Sequence, residues 1–339
     1  MTLRLRVDSL RWNAQVDDVA AAFVPLVPVV KGNGYGFGRG VLAERAVALA
    51  DHCHRVGELP VLAVGTVHEL TGIPPAWRPA VLTPVAPDGG SAGSFPLRER
   101  LDACRSSPIV TVGTADHISA LDGWRGAVLV KLRSSMQRFG AAPDELDGLE
   151  KAVAGAGLDR AGYSIHLPLA GTDDTRLAEL GRWLGRLESS GRRPRELWVS
   201  HLDAAAHTAL RERWPAWVFP MRTGTALWHG DKSAFHLGAN VLDVRAVTGG
   251  TVAGYRHVTI DGAGSLVMVG AGTAHGVAPL ADGRSPFHYF RERLQLLERP
   301  HMHTSIAFVP RDAPCPAVGD VVDVQCPLTT VAVDEVIWQ

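Results

Sequence analysis

Val29-Val30-Lys31-Gly32-Asn33-Gly34-Tyr35-Gly36 sets a β-branched run against a string of alternate glycines, with one lysine at the join. The apolar run begins at Val24, ends at Val30 and reads as a strand. Lys31 therefore falls at a strand's C-terminal end, where a parallel barrel places its chemistry. Gly32, Gly34, Gly36 and Gly38 let the backbone turn sharply and come close to a ligand. A lysine desolvated in such a place loses its proton more readily and can condense with an aldehyde. A lysine in a Gly-rich loop is more often a solvated surface residue, and this stretch alone leaves both readings open.

Similar runs follow at Val61–Val64, Ala80–Val85, Ile109–Val112, Ala127–Leu132, Tyr163–Leu167, Glu196–His201 and Trp217–Met221, which makes eight in all. Between them, Gly40–Cys53 and Asp174–Ser189 carry apolar residues at helical spacing. Strand alternating with helix implies α/β architecture with a parallel sheet, and eight such units fit a (β/α)8 TIM-like barrel. An open doubly wound sheet is the competing arrangement, but no G-x-G-x-x-G follows the first strand. From Asn240 the pattern changes to short alternating strands at Val241–Thr248, Thr251–Ile260, Ser265–Gly270, Leu294–Glu298, Thr304–Val309 and Val321–Val324. The expected division is a barrel over 1–232 and a mostly-β C-terminal domain over 233–339. Ala86–Pro96 and Asp312–Pro316, rich in Gly and Pro, read as loops.

The 339 residues are 46% hydrophobic and 20% charged, which suits a soluble protein with a sizeable core. A formal net charge of −1 and the lack of a long basic run give no reason to expect nucleic acid or an anionic membrane as partner. No apolar run is long enough to span a bilayer, and Met1–Leu10 lacks an apolar signal core. Cys53, Cys104, Cys315 and Cys326 are widely spaced, which favours free buried thiols in a reducing cytoplasm over disulfides or a zinc site.

Five separated segments carry a resemblance, and they occur in the right order. Val29–Gly38 resembles the V-K-A-N-A-Y-G-H-G lysine motif of the alanine racemase family, with small residues changed to Gly and His changed to Phe37. Val130–Gly140 resembles K-V-D-T-G-M-N-R-L-G, and Met221–Trp228 resembles R-P-G-I-A-L-Y. Val252–His257 resembles V-G-Y-G-H, and Pro316–Val322 is similar to a further V-G-D-x-V segment. The resemblance implies a fold-type III pyridoxal 5'-phosphate enzyme, an isomerase acting on a small-molecule amino acid, assembled as a head-to-tail homodimer.

It also implies roles. Lys31 would hold pyridoxal phosphate as a Schiff base and act at one face of the substrate Cα. Tyr35 would lie near the phosphate, with Gly224 and Thr225 supplying backbone amides to it. Arg222 would hydrogen-bond the pyridine nitrogen and His166 would stack on the ring. Arg138 would contact the cofactor's phenolic oxygen or the substrate carboxylate. Lys131 matches a lysine that is carbamylated in many members.

The reaction half of the pattern departs from the family. The resemblance puts a second base, a Tyr, in G-Y-A-D-G, and the best-fitting stretch is Gly272-Thr273-Ala274-His275-Gly276. Thr273 takes the Tyr place and is far too weak an acid to replace a phenol, whereas His275 could serve as a base. The family's C/S-M-D-Q becomes His301-Met302-His303-Thr304, so His303 takes the Asp place. Leu202-Asp203-Ala204-Ala205 is the best match to a phosphate motif, and Asp203 would repel phosphate if it pointed inward. Three readings follow: a racemase with His275 or His303 as surrogate base, a related enzyme of the D-amino-acid dehydratase or aldolase kind, and a non-catalytic cofactor-binding homologue. His301 and His303 resemble faintly the metal pair of the second kind, but exposed or supporting histidines are the favoured reading, with no metal expected.

Overall fold

The computed structural model describes residues 2–87, 97–191 and 194–339. The loop expected over Ala86–Pro96 therefore lies, from 88 on, outside the described residues. The chain divides into two compact units. One comprises Gln15–Gly32 and Arg39–Gly230 and is built on parallel strands. The other comprises Met1–Ala14, Asn33–Gly38 and Asp231–Gln339 and is mostly β.

In the parallel unit, seven strands hydrogen-bond in chain order: Arg55–Val56, Leu59–Val64, Arg78–Val81, Ile109–Val112, Ala127–Lys131, Asp159–Ser164 and Leu197–Trp198. The first pair is antiparallel and the rest are parallel, so the sheet is mixed. Leu26–Pro28 pairs in parallel with Met221–Thr223. Single parallel bridges run from this pair to the sheet, Val29 to Ala63 and Val199 to Met221. Each of the eight apolar runs of the sequence thus contains or abuts a strand. Strands buried on both faces need unbroken apolar sequence rather than alternation. Ala127–Lys131 shows this, being buried at every position. Val27, Val29, Val61, Ala63, Ala80, Ile109, Leu129 and Trp198 pack together as the inner core.

Two boundaries differ from expectation for physical reasons. The strand expected over Tyr163–Leu167 starts earlier, at Asp159, because Asp159 and Arg160 pair with Ala127 and Val128 despite their charge. The helix expected over Gly40–Cys53 is Arg39–Val47, and a chain of tight turns carries the backbone from Ala48 to Cys53. The longer helix Asp173–Ser189 starts on a Thr172 capping box and buries Leu180, Trp183, Leu184 and Leu187. No helix among the described residues is long and apolar enough to cross a membrane. The cysteines are free, but only Cys53 is buried, and Cys315 is exposed, in an irregular segment between Pro314 and Pro316.

The β unit is organised on Phe235–Val247, which pairs with Leu3–Val7, Gly264–Val269 and Val321–Val324. Ser305–Pro310 adds to Gly264–Val269, and Glu335–Trp338 lies parallel to Leu3–Val7. The alternation of charge and aliphatic residues near the N-terminus is therefore a strand, with Leu3, Leu5 and Val7 fully buried. That places Leu3–Val7 in the β unit, because its ladder partners lie there. The strand expected over Thr251–Ile260 is two short strands, Val252–Ala253 and Val258–Thr259, with a turn between them.

Asp334 ties the ends of this unit together. Its Oδ2 accepts from the Thr2 amide at 3.0 Å, the Thr2 hydroxyl at 2.7 Å and the Leu3 amide at 2.8 Å. Partial burial acts to raise its pKa, but these donors and the nearby His275 outweigh it and hold the carboxyl down at about 2. A carboxylate with a depressed pKa stabilises the fold above its ordinary pKa, and the effect is lost as pH falls through the folded value. Asp334→Ala is expected to cost about 1–3 kcal/mol at neutral pH by urea denaturation. The gap between variant and wild type should close as pH falls towards 2; a gap that persists there would mean the loss is one of packing.

Candidate active site

Lys31 follows the strand Leu26–Pro28, and four other basic or imidazole side chains of the same unit gather around the ends of neighbouring strands. Lys131 is the last residue of Ala127–Lys131, and Arg222 lies in Met221–Thr223. Arg138 sits on the loop after Lys131, and His166 follows the strand Asp159–Ser164. Lys31 reaches solvent, yet its pKa is held below the usual lysine value by partial desolvation and then by the charges of Arg138 and Arg222. Glu69 opposes that shift. Lys131 is buried, and desolvation, with Arg222 and Arg138, pushes its pKa well below the ordinary value. No acidic side chain contributes to holding its charge. An amine so placed gives up its proton more readily than a solvated lysine.

Arg222 is buried, and two carbonyls fix its guanidinium. Nη2 donates to Ile165 O in a short hydrogen bond, and Nε donates to Val199 O at 3.4 Å. Burial and the charge of Arg138 lower its pKa to about 10, which still leaves it protonated. A guanidinium has only donors, so it can meet an acceptor nitrogen without giving up its proton. Arg138 is exposed on its loop, with its guanidinium 5.2 Å from the centre of the Phe139 ring.

His166 is held neutral. Desolvation, then Arg222, Lys131, His201 and Arg138, push its pKa down to about 2. The Ser200 hydroxyl lies 3.0 Å from its Nδ1 and also accepts from the Leu167 amide at 3.3 Å. His201, in the left-handed region at φ 61°, donates from Nδ1 to Leu167 O at 2.7 Å. The two imidazoles sit with ring centroids 4.6 Å apart. Gly224 precedes the short helix Thr225–His229, whose first residue is exposed. Asp203 does not aim its charge freely into space: it caps the helix Ala204–Arg213, accepting from the Ala206 amide at 2.7 Å. Tyr35 is buried in the left-handed region at φ 56° and belongs to the β unit, as do Thr273, His275 and His303.

In the β unit the second group of candidates is contiguous. Thr273–His275 is one helical turn, and Thr273 and Ala274 donate their amides to His301 O and Met302 O, each at 2.8 Å. His275 is buried, and both its nitrogens are engaged. Nδ1 accepts from the Gly272 amide at 3.1 Å, and Nε2 faces Asp334 Oδ1 at 3.5 Å. Thr273 and His303 are exposed, and the His303 ring lies edge-on to His275 at 6.0 Å. His301 Nε2 meets Glu298 Oε1 at 2.7 Å rather than reaching towards His303.

Reasoning from sequence overlooked Glu69, Ser200, His201 and Tyr255. Tyr255 is 84% exposed at the turn between Val252–Ala253 and Val258–Thr259. Its backbone is nevertheless fixed: Glu298 accepts from the Tyr255 amide at 2.9 Å and the Arg256 amide at 3.1 Å. Gly254 is required there, since it has φ 76° and a Cβ would fall 2.3 Å from Glu298 Oε1. The phenol ring packs on His301 with centroids 4.4 Å apart. The signal for it was present, because Val252–His257 is one of the matched segments.

The sequence model of the family described as "Alanine racemase, N-terminal domain" matches residues 5–231. No curated protein matches the sequence. Among solved structures, alanine racemase from Bartonella henselae with covalently bound pyridoxal phosphate superposes at TM-score 0.72 and 17% identity, over 100% of each chain. Alanine racemase from D-cycloserine-producing Streptomyces lavendulae gives 0.70 and 18%, over 100% of this chain and 97% of that one. Alanine racemase from Bacillus anthracis with bound L-Ala-P gives 0.70 and 21%, over 95% and 85%. At these identities the structural likeness establishes the fold, the alanine racemase fold. The family match covers well over half the chain, and the chain belongs to the alanine racemase N-terminal-domain family.

Proposed function

We propose that the protein is a pyridoxal-phosphate-dependent amino-acid racemase acting at the Cα of a small amino acid. The observation that carries this reading is the convergence of Lys31, Lys131, Arg138 and Arg222 at the ends of parallel strands, with Glu69 the acidic group that acts on Lys31. Such a site suits a ligand with several negative charges, and a phosphorylated cofactor together with an amino-acid carboxylate is one. The bridges Val29–Ala63 and Val199–Met221 support closure of the eight parallel strands into a (β/α)8 barrel, with these residues at its C-terminal mouth.

The residues present fit pyridoxal phosphate. Lys31 has the lowered pKa that attack on an aldehyde requires. When bound, the cofactor supplies that aldehyde and a ring system that delocalises charge from Cα. Arg222, which has only donors, would face the ring nitrogen and would leave it unprotonated. His166, neutral throughout, presents an uncharged face to the ring. Gly224 and Thr225 offer backbone amides to the phosphate, and Arg138 clamps the substrate carboxylate bidentately. Lys31 takes or returns the Cα proton on one face. Lys131 as a carbamate would place a negative charge beside Arg138 and orient it.

Inversion needs a second group on the opposite face. His275 is the candidate by chemistry, but its two nitrogens are occupied within the β unit. Tyr255 presents an exposed phenol on a backbone fixed by Glu298. The phenol is the better second base, and an exposed base on the β unit is suited to serve a homodimer in which one protomer completes its partner's site.

Purified protein supplied with pyridoxal phosphate is expected to be yellow, and Lys31→Ala should abolish the colour. Protein that takes up no pyridoxal phosphate would overturn the cofactor assignment. Incubation with L- and D-amino acids in deuterated water should give deuterium at Cα with inversion. Loss of ammonia or a retro-aldol product would replace the racemase reading with that of a dehydratase or aldolase, and no change with any amino acid would leave a cofactor-binding homologue.

Tyr255→Phe is expected to slow exchange from one enantiomer by about 100-fold or more while cofactor binding survives. His275→Ala should instead lower the melting temperature and retain exchange from both enantiomers in the folded fraction. The reverse pattern would make His275 the base.

A further inference from the structure

Glu69 ends the short helical turn Val67–Glu69 that follows the strand Leu59–Val64. Its carboxylate makes no ion pair among the described residues. Instead Oε1 accepts from the Gly32 amide at 3.1 Å and Oε2 accepts from the Gly65 amide at 2.7 Å. The Gly32 amide belongs to the peptide bond that leaves Lys31. On the far side of Gly32, its carbonyl accepts from Arg39 Nη1 at 2.7 Å. The backbone is thus gripped on both sides of Gly32, an exposed residue with φ 65° at the start of the Gly-rich loop.

Gly65 shows how closely the parts converge. A Cβ there would lie 3.0 and 3.2 Å from the Glu69 carboxylate oxygens and 3.2 Å from Lys31 Cβ. Lys31 Cβ, the Gly65 backbone and the Glu69 carboxylate therefore share one small volume. The groups of this unit that face Lys31 are Arg138, Arg222, His201 and Glu69. Of these, His201 is held largely neutral by burial, the two arginines are positive, and Glu69 alone is negative.

We propose that Glu69 is a positioning residue for Lys31: it clips the peptide after Lys31 to the neighbouring strand end, so that the amine has one trajectory, and it places the opposing negative charge. This deepens the cofactor reading above and rests on it for its functional meaning. The clip is a division of labour. Glycines let the backbone take the left-handed turns of this loop, and a carboxylate holding two amides keeps the one residue that must not wander in place. A misplacement of about 1 Å at a reacting group can cost on the order of 100-fold.

The test is the pH dependence of Lys31 labelling by trinitrobenzenesulfonate in the full-length protein without added cofactor, read by peptide mass mapping, with Lys31→Ala as blank. Glu69→Gln removes the charge and one of the two acceptors. The labelling midpoint is expected to move to lower pH, because an ammonium loses a stabilising anion. Glu69→Asp keeps the charge but is too short to hold both amides, so the midpoint should stay while pyridoxal phosphate uptake, followed by absorbance, slows about tenfold or more. A purely structural role would alter the melting temperature without moving the midpoint. Should Glu69→Gln not fold, Gly65→Ala crowds the same carboxylate and must slow uptake with the midpoint unchanged.

Wild-type midpoint and uptake rate in both Glu69 variants would overturn the proposal. Labelling shifts in a protein that never takes up pyridoxal phosphate would leave the clip standing and remove the cofactor reading instead.

Discussion

Uncompensated positive charge is the constraint on which the candidate site depends. Lys131 is buried with two guanidinium groups acting on it and no acidic side chain opposing them. Burial and these charges together penalise an ammonium there and hold the amine's pKa well below the ordinary lysine value. Burial first, and then the same charges, keep His166 neutral and make Lys31 easier to deprotonate. The scaffold can sustain the crowding because Arg222 is held by the carbonyls of Ile165 and Val199, which come from neighbouring strand ends. Strand ends of a parallel sheet thus do two things at once: they bring distant cations together and offer the carbonyl oxygens that keep one of them in place.

Much of this was legible in the sequence. The eight apolar runs marked strands because strands buried on both faces cannot carry polar residues at every second position. Lys31, Lys131, Arg138 and Arg222 were visible because each lies within a short matched segment near the end of such a run. Glu69 was not visible. Its partner Gly32 is 37 residues away in sequence, and nothing in Val67–Glu69 distinguishes it from a surface turn. His201 was hidden in a similar way, since its left-handed backbone and its bond to Leu167 O exist only once two strand ends meet.

Tyr255 and His275 show the limit from opposite sides. Local chemistry made His275 attractive as a base, but the Gly272 amide and Asp334 claim its nitrogens, and the second of these comes from far along the chain. Reading Thr251–Ile260 as one continuous strand made Tyr255 just another alternating side chain. The glycine at 254 breaks that strand, and Glu298 turns the break into a fixed platform with the phenol outward. Residue type suggests who could act; which partners have already taken a side chain's donors and acceptors decides who is available.

Leu3–Val7 has Glu335–Trp338 on one side and Phe235–Val247 on the other. Leu3–Val7 therefore pairs only with strands that lie far later in the sequence than itself. Until Phe235–Val247 and Glu335–Trp338 have been synthesised, Leu3, Leu5 and Val7 have no finished sheet to bury them. During synthesis Leu3–Val7 is thus an unpaired edge, and its burial is a late event set by contacts of high sequence separation.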